Sequence, residues 1–203
     1  EGAASGEREW LPFLTGLGNA ERLLVRQGRN LLYAHDAGCW FVWREGWWAR
    51  DTRGLAQQKA IDAARGLLFQ KESYLRGEDG APLEGEARDR AERKFRAHWA
   101  KGESAAGVKE ALVLASSSPK VACLTTEFDL DPWLLGAGGK VVDLRSAQVD
   151  DGKREQRISK QAACAPARAV PGKDPCPTWR KFVLDVMCGD QELADYLYPH
   201  DQD

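Results

Sequence analysis

Residues 31–50 combine strand-forming residues with two short turns, and this pattern restricts the segment more than any other in the chain. Runs rich in Leu, Tyr, Phe, Val and Trp cover residues 31–35, 39–44 and 47–50. Turn-forming residues separate them, DAG between the first two runs and EG between the last two. Strands joined by connections this short pair as hairpins. The segment therefore predicts a small antiparallel β-meander.

Two segments that flank the meander have helical periodicity. Residues 19–28 predict a short helix, with Asn19 as its N-cap and Gly28 at its end. Residues 54–75 predict a longer helix with one apolar face. That face consists of Ile61, Ala64 and Leu68.

Two more helices are predicted in the middle of the chain. Residues 86–101 are rich in basic residues, and Phe95 and Trp99 lie four positions apart on one apolar stripe. Residues 104–118 predict the next helix, with Ser104 as its N-cap. Its buried face consists of Val108, Ala111, Leu112 and Ala115.

The glycine cluster GAGGK at residues 136–140 raises the question of a phosphate-binding loop. Such a loop reads G-x-x-x-x-G-K-[ST] and leads into a helix. Here Leu134 stands at the first glycine position and Val141 at the Ser/Thr position, and the β-branched residues that follow favour a strand. The cluster therefore predicts a tight turn before a strand at 140–144, with residues 132–135 packed into the core.

Composition excludes several classes of protein. Apolar residues make up 43% and charged residues 30% of the 203 residues, and the net charge is −2. This mixture is typical of a globular domain rather than a polyanion-binding chain or a membrane span. Five cysteines without a C-x-x-C pair, and three dispersed histidines, argue against a disulfide framework or a metal site. We expect a cytoplasmic protein with reduced thiols.

Basic residues are concentrated in two places. Residues 88–101 contain six Lys or Arg against two Asp or Glu, whereas residues 185–203 contain six acidic residues and no basic ones. Lys and Arg side chains bind DNA phosphates. They are also common on solvated helix faces, and the cations of this helix are spread around it. The candidates are Arg88, Arg90, Arg93, Lys94, Arg96 and Lys101, followed by Arg145, Lys153, Arg154, Arg157 and Lys160.

The eight tryptophans offer a second type of nucleic-acid contact. Because neighbouring strand residues face opposite sides of a sheet, some tryptophans of the meander are expected to be exposed. Trp43 and Trp48 are the candidates for stacking on bases, and packing in the core is the alternative.

Asp131 is expected to turn the chain before Pro132. No nucleophile–base spacing identifies a catalytic residue.

Four stretches resemble a known family. Residues 131–135 read DPWLL and residues 143–145 read DLR, at a spacing similar to that of the helicase-associated domain of phage and plasmid primase–helicases. This domain is related to the N-terminal part of the poxvirus-type primase–helicase. Residues 40–51 resemble its Trp-rich meander, and 98–115 resemble a helix end, turn and next helix. ISK, CP-x-W and GDQELADYL, within residues 158–197, resemble its approach to the helicase core.

This resemblance implies a role in DNA replication. The full-length proteins are hexameric superfamily-three helicases, often fused to a primase–polymerase, that unwind DNA with ATP. Their ATP-binding residues lie downstream of the region that this chain resembles, so ATP and Mg²⁺ are expected only for the helicase core. The resemblance therefore assigns no catalytic residue, metal or cofactor to these residues. The implied partners are single-stranded or forked DNA, a helicase core, a primase domain and further copies of the chain, with no membrane.

These observations predict an α+β fold with a small antiparallel meander, several helices and a short helical C-terminal segment. We expect a flexible lead at 1–18, an accessory domain at 19–164, a Pro-rich linker at 165–177 and a helical segment at 178–203 that leads toward a helicase core. The expected function is to couple DNA or a primase to an ATPase ring. An interaction or oligomerisation module without DNA affinity is the alternative, and a stand-alone enzyme is a third reading.

Overall fold

Helices and two small sheets make up the computed structural model, which describes residues 11–166 and 176–197. The α+β fold predicted from the sequence is confirmed. The helices are α1 (Gly16–Gln27), α2 (Leu55–Arg65), α3 (Lys71–Tyr74), α4 (Gly85–Glu103), α5 (Ala105–Ser116), α6 (Pro177–Val186) and α7 (Gln191–Leu197). The strands are β1 (Leu31–Ala34), β2 (Cys39–Arg44), β3 (Trp47–Arg50), β4 (Ala122–Cys123), β5 (Leu134–Ala137), β6 (Lys140–Asp143) and β7 (Val149–Asp151). The chain divides into two compact units, residues 1–164 and 165–203.

The first sheet has the strand order β3-β2-β1-β4. Its first three strands form the predicted antiparallel meander, in which Tyr33 pairs with Trp40 and Trp43 pairs with Trp48. β4 adds parallel to β1, with Ala122 opposite Tyr33. The sequence did not predict β4, because a two-residue strand that pairs with a distant partner has no local signal.

The two faces of this sheet pack against different layers. Leu31 and Val42 face the helical layer, where α1, α2 and α5 supply a core rich in alanine. Leu32, Phe41 and Trp48 face the opposite layer, and the Phe41 ring stacks on Phe128 at a centroid distance of 4.6 Å. The alternation of side chains along each strand therefore separates two hydrophobic clusters.

The start of α1 differs from the prediction. Thr15, not Asn19, is the N-cap, and its hydroxyl accepts a hydrogen bond from the Gly18 N–H at 3.1 Å. Asn19 is buried inside the helix, where its side-chain oxygen accepts from Arg22 Nη1 at 2.9 Å. The predicted 1–18 lead thus contains the first helical residues, and its residues 1–10 lie outside the described part of the chain.

The predicted helix over 54–75 is divided. α2 ends at Arg65, a 3₁₀ segment covers Gly66–Gln70, and the short α3 follows. The predicted apolar face is confirmed for Ile61, which packs against the core, and wrong for Leu68, which is 45% exposed. The buried side chains are Ala56, Ala60, Ala63 and Leu67. Small alanines, rather than the larger apolar residues, allow α2 to approach α1 and α5 closely.

Helices α4 and α5 follow their sequence signals. Phe95 is fully buried, and Trp99 is partly buried beside it. Ser104 caps α5 by accepting a hydrogen bond from the Gly107 N–H at 3.1 Å. Val108, Ala111 and Ala115 are buried, and Leu112 packs at the edge of the core.

The second sheet has the order β5-β6-β7, and all its pairs are antiparallel. Gly138 and Gly139 form the β5–β6 turn with φ of 56° and 79°, as the sequence predicts. Trp133 and Leu135 are 45% and 44% exposed, so the expectation that residues 132–135 pack into the core is wrong. Because β5 belongs to a small sheet, alternate residues face solvent. β7 lies in a polar stretch of the sequence that has no strand signal.

The second unit contains α6 and α7, which bury Val183 and Ala194. Gly189, with φ of 84°, separates them. Residues 167–175 of the predicted linker lie outside the described residues. Among the helices that the structure describes, none combines the length and apolar character needed to cross a membrane.

Candidate nucleic-acid interface

Helix α4 presents a network of ion pairs centred on Glu92. The Glu92 carboxylate pairs with Lys71 Nζ at 3.0 Å, Arg96 Nη2 at 3.4 Å and Arg88 Nε at 3.7 Å. The hydrogen bond from Lys71 is the main reason that the pKa of Glu92 lies below its ordinary value. Arg88 also pairs with Glu72 at 3.2 Å. Two of the six predicted DNA-binding cations on this helix are thus partly neutralised by protein carboxylates.

The remaining cations of α4 lie free on the side of the helix away from Phe95. Arg90, Arg93, Lys94 and Lys101 are exposed, and none forms an ion pair within the described part of the chain. Positions 90, 94 and 101 recur at i, i+4 and i+11, so they lie along one side of a helix with 3.6 residues per turn. Residue 93 lies next to this row. The six cations are spread around the helix, as predicted, but the ion pairs leave one unpaired stripe.

His98 joins α4 to α1 at a partly enclosed cavity of about 370 Å³. Its Nε2 lies 3.0 Å from the Asn19 side-chain oxygen. Burial, followed by the nearby charges of Arg22 and Lys101, holds the pKa of His98 below its ordinary value. A neutral imidazole with a donating Nε2–H fits this contact. His98 is half-buried at this contact between helices, although it lies within the basic run of α4.

The residues of the second predicted basic cluster have different partners in the fold. The Arg145 guanidinium lies 5.0 Å from the Trp133 ring centroid, whereas Arg157 pairs with Glu127 at 2.8 Å. Arg154 Nη2 donates to the Asn30 side-chain oxygen at 2.8 Å. The two candidates not yet described, Lys153 and Lys160, are exposed. Of these five residues, Arg154 and Arg157 line the same cleft.

Arg154 lies at two adjoining clefts. One has a volume of about 440 Å³, and Trp43 and Lys140 are among its lining residues. The other has a volume of about 240 Å³ and contains Arg29 and Lys120 besides Arg154. Arg29 and Lys120 lie outside the basic clusters of the sequence, and only the fold brings them to one cleft.

The two candidate stacking residues differ in accessibility. Trp48 is 3% exposed, and its Nε1–H donates to the Arg154 carbonyl at 3.0 Å. The prediction that Trp48 stacks on bases is wrong, because this burial leaves no open ring face. Trp43 is only partly buried, and its ring lies 4.9 Å from the Arg154 guanidinium and 5.3 Å from the Trp48 ring. Trp43 therefore stays a candidate.

Three glycines hold the wall of the larger cleft. A Cβ at Gly46 would lie 2.0 Å from the Gly139 carbonyl oxygen, and one at Gly152 would lie 1.8 Å from the Gly46 carbonyl oxygen. Such distances are far shorter than real contacts, so these backbones can meet only without side chains. The GAGGK segment thus forms a turn that packs against the β2–β3 turn.

The conspicuous carboxylates and the buried thiol have structural roles. Asp129 accepts hydrogen bonds from the Ser159 N–H at 2.7 Å and hydroxyl at 2.6 Å. Asp131 accepts from the Trp133 N–H at 3.0 Å and turns the chain as predicted. Burial raises the pKa of Cys123 to about 11. No group of three or more His, Cys, Asp or Glu side chains in residues 11–166 and 176–197 is arranged to hold a metal ion.

A comparison of the sequence with protein families identifies the family of this chain. The family model described as D5 N terminal like matches residues 20–188, which is most of the chain. The chain therefore belongs to this family, the helicase-associated N-terminal domain of phage and plasmid primase–helicases. No curated protein matches the sequence. Membership associates the chain with replication proteins.

Proposed function

We propose that this domain is an accessory module of a primase–helicase that contacts DNA and couples it to a helicase core. The family membership supports the replication context. The ATP and Mg²⁺ needed for unwinding would bind to that core. Replication also makes the cytoplasm the expected compartment.

The unpaired stripe on α4 is the observation that supports DNA contact best. Arg90, Arg93, Lys94 and Lys101 combine exposure with freedom from carboxylate partners among the described residues. When Lys and Arg side chains bind phosphates, condensed counterions leave the DNA. Because this release is less favourable at high salt, binding weakens as the salt concentration rises. Glu86 lies one turn before Arg90 and reduces the local positive charge at that end. The stripe is therefore expected to contact the DNA backbone rather than to read the bases.

A salt titration tests this proposal. The fluorescence anisotropy of labelled duplex and single-stranded DNA would be measured with the wild-type chain and with the R90E/R93E/K94E variant. We expect log Kd of the wild type to change linearly with log salt. The variant should bind duplex DNA at least about tenfold more weakly, with a salt slope reduced by about 2.7 if three phosphate contacts are lost.

The matched control is the R50E/R53E/K109E variant. These three cations are exposed and make the same change in net charge, but they lie on β3, the following turn and α5. The control should keep most of the DNA affinity. Equal losses in both triple variants would show a general charge effect and contradict a specific α4 surface.

Assembly without DNA contact is the second candidate function. Exposed apolar side chains on α1 and α5 favour it, since Leu17 is 58%, Val25 66% and Val113 59% exposed. Sedimentation of the chain without DNA over a range of concentrations tests this candidate. A mass that rises with concentration, together with no DNA binding at low salt, would support assembly over DNA contact.

A further inference from the structure

The two clefts that share Arg154 have different chemical characters. Trp43 is among the residues that line the larger cleft, and the charges of this cleft are balanced. Lys140 forms an ion pair with Asp151, and the negative charge of Glu45 offsets the positive charge of Arg154. Nucleobases stack on aromatic rings and on guanidinium planes, and such stacking does not require a net charge. This cleft therefore has the chemistry for a base.

The smaller cleft is strongly positive. Four cations line it, against the single carboxylate of Glu155. Arg157 already pairs with Glu127, whereas Arg29 and Lys120 are exposed and form no ion pair in the segments that the structure describes. The other cation is Arg154. Exposed cations at one concave site attract phosphate groups.

Arg154 is held in place but is not fully satisfied. Its Nη2–H donates to Asn30, and its guanidinium lies against Trp43. Its Nε is buried without a hydrogen-bond acceptor in the described part of the chain. The side chain is thus positioned between a base-sized aromatic site and a phosphate-attracting site.

The wall of the larger cleft is also preorganised. The contact between Gly46, Gly139 and Gly152 fixes the β2–β3 turn against the β5–β6 turn. Trp43 and Lys140 belong to the strands that enter and leave these turns. A ligand would therefore meet an ordered surface, which lowers the entropic cost of binding.

We infer that these clefts form one binding groove for single-stranded DNA, with a base against Trp43 and Arg154 and the adjoining phosphates at Arg29 and Lys120. The groove is a different surface from the α4 stripe. The choice of DNA as the strand rests on the proposed function, but the groove does not depend on α4. Stacking on unpaired bases makes single strands the preferred ligand over duplex DNA.

Photocrosslinking tests the position of the base. The full chain would be irradiated with a labelled oligothymidylate that carries 5-iodouracil, and the crosslinked peptides would be mapped by mass spectrometry. We expect crosslinks at Trp43. Crosslinks confined to peptides that lack Trp43 would overturn the inference.

Charge reversal tests the phosphate contacts. The R29E/K120E variant should bind single-stranded DNA at least about tenfold more weakly, and its salt slope should fall by about 1.4, the change expected for two lost phosphate contacts. The control R53E/K109E makes the same change in net charge at two exposed cations outside the clefts. Equal affinities of R29E/K120E and this control would overturn the groove, provided that both variants melt like the wild type.

The two sets of variants test the groove and the α4 stripe independently. Loss of binding in R29E/K120E with normal binding in R90E/R93E/K94E would support the groove and contradict the α4 proposal. The opposite pattern would contradict the groove and leave α4 as the DNA contact.

Discussion

Asp51 organises the junction between the meander and the helices through a single carboxylate. The N-cap of α2 is Gly54, which has no side chain to satisfy the first N–H groups of the helix. The Asp51 oxygens instead accept from the N–H groups of Arg53, Leu55 and Ala56 at 3.1, 2.9 and 2.8 Å. Burial acts to raise the pKa of Asp51, but these N–H donors outweigh it and hold the pKa below its ordinary value.

We predict that D51A lowers the free energy of unfolding by about 1–2 kcal/mol, the usual effect of losing a helix cap. Because the folded-state pKa is depressed, the stabilisation is present above the unfolded-state pKa and is lost as the pH falls through the folded-state value. Urea denaturation at neutral and acidic pH measures both effects. D89N, at an exposed carboxylate on α4, should behave like the wild type.

His98 predicts an acid-sensitive contact between α1 and α4. Its folded-state pKa lies below the ordinary value of 6.5, so the unfolded state binds the proton first as the pH falls. The free energy of unfolding should therefore decrease as the pH falls below about 6.5 and level off below the folded-state pKa. H98Q should remove this part of the pH dependence, and H35Q should keep it. Identical pH profiles for wild type and H98Q would contradict the assignment.

Residue roles with local partners were predictable from the sequence. Ser104 caps α5 and Asp131 turns the chain through hydrogen bonds to residues two or three positions away. Asn19 has the same chemistry as a cap, but its side chain bonds to Arg22 and His98 instead. The local sequence pattern does not indicate a partner 79 residues away. The predicted N-cap of α1 was therefore wrong.

At the scale of the element, Glu92 divides the cations of α4 into paired and unpaired groups. We predict that E92Q raises duplex DNA affinity by about twofold to fivefold, because Arg96 loses its carboxylate partner and becomes available to phosphates, whereas Arg88 keeps its ion pair with Glu72. Fluorescence anisotropy at low salt measures this gain. E21Q, which removes one negative charge on α1, is the control and should have a smaller effect. A loss of affinity in E92Q would mean that its network positions the helix for binding.

The periodicity of apolar residues predicted the helices. The pairing of the short strands and the choice of the buried face of α2 depended on the fold. The meander, α4 and α5 have signals within a few residues of each other. β4 and β7 are two and three residues long and gain stability only from partner strands. The buried face of α2 depends on alanines, whose fit against α1 and α5 carries no signal in a pattern dominated by larger apolar residues.

At the scale of the whole molecule, the glycine contact joins the two sheets. We predict that G152A lowers the free energy of unfolding by roughly 2 kcal/mol or more, because its Cβ would lie 1.8 Å from a backbone oxygen that cannot move alone. The control G80A places a Cβ in open space, so only the cost of its φ of 80° remains, about 1 kcal/mol. Equal losses in the two variants, measured by urea denaturation, would contradict a tight contact between the turns.

The candidate groove shows the limit of sequence reasoning at this scale. The sequence selected Trp43, Arg154 and Arg157 by residue type and Lys120 and Arg29 not at all. The hydrogen bond between Arg154 and Asn30 joins positions 124 residues apart, and it helps to bring the two clefts together. Only the packed structure shows which of many dispersed cations share a concave surface.

The parallel pairing of β1 with β4 has a consequence for synthesis on the ribosome. The Tyr33 N–H donates to the Val121 carbonyl, and the His35 N–H donates to the Cys123 carbonyl. At about 5–20 residues per second, the 87 residues between the end of β1 and the start of β4 take roughly 4–17 s to be made. During that time the Trp-rich meander emerges with an unpaired edge, which is a template for aggregation. Nascent chains that end before residue 121 should therefore require chaperones more than the finished domain does.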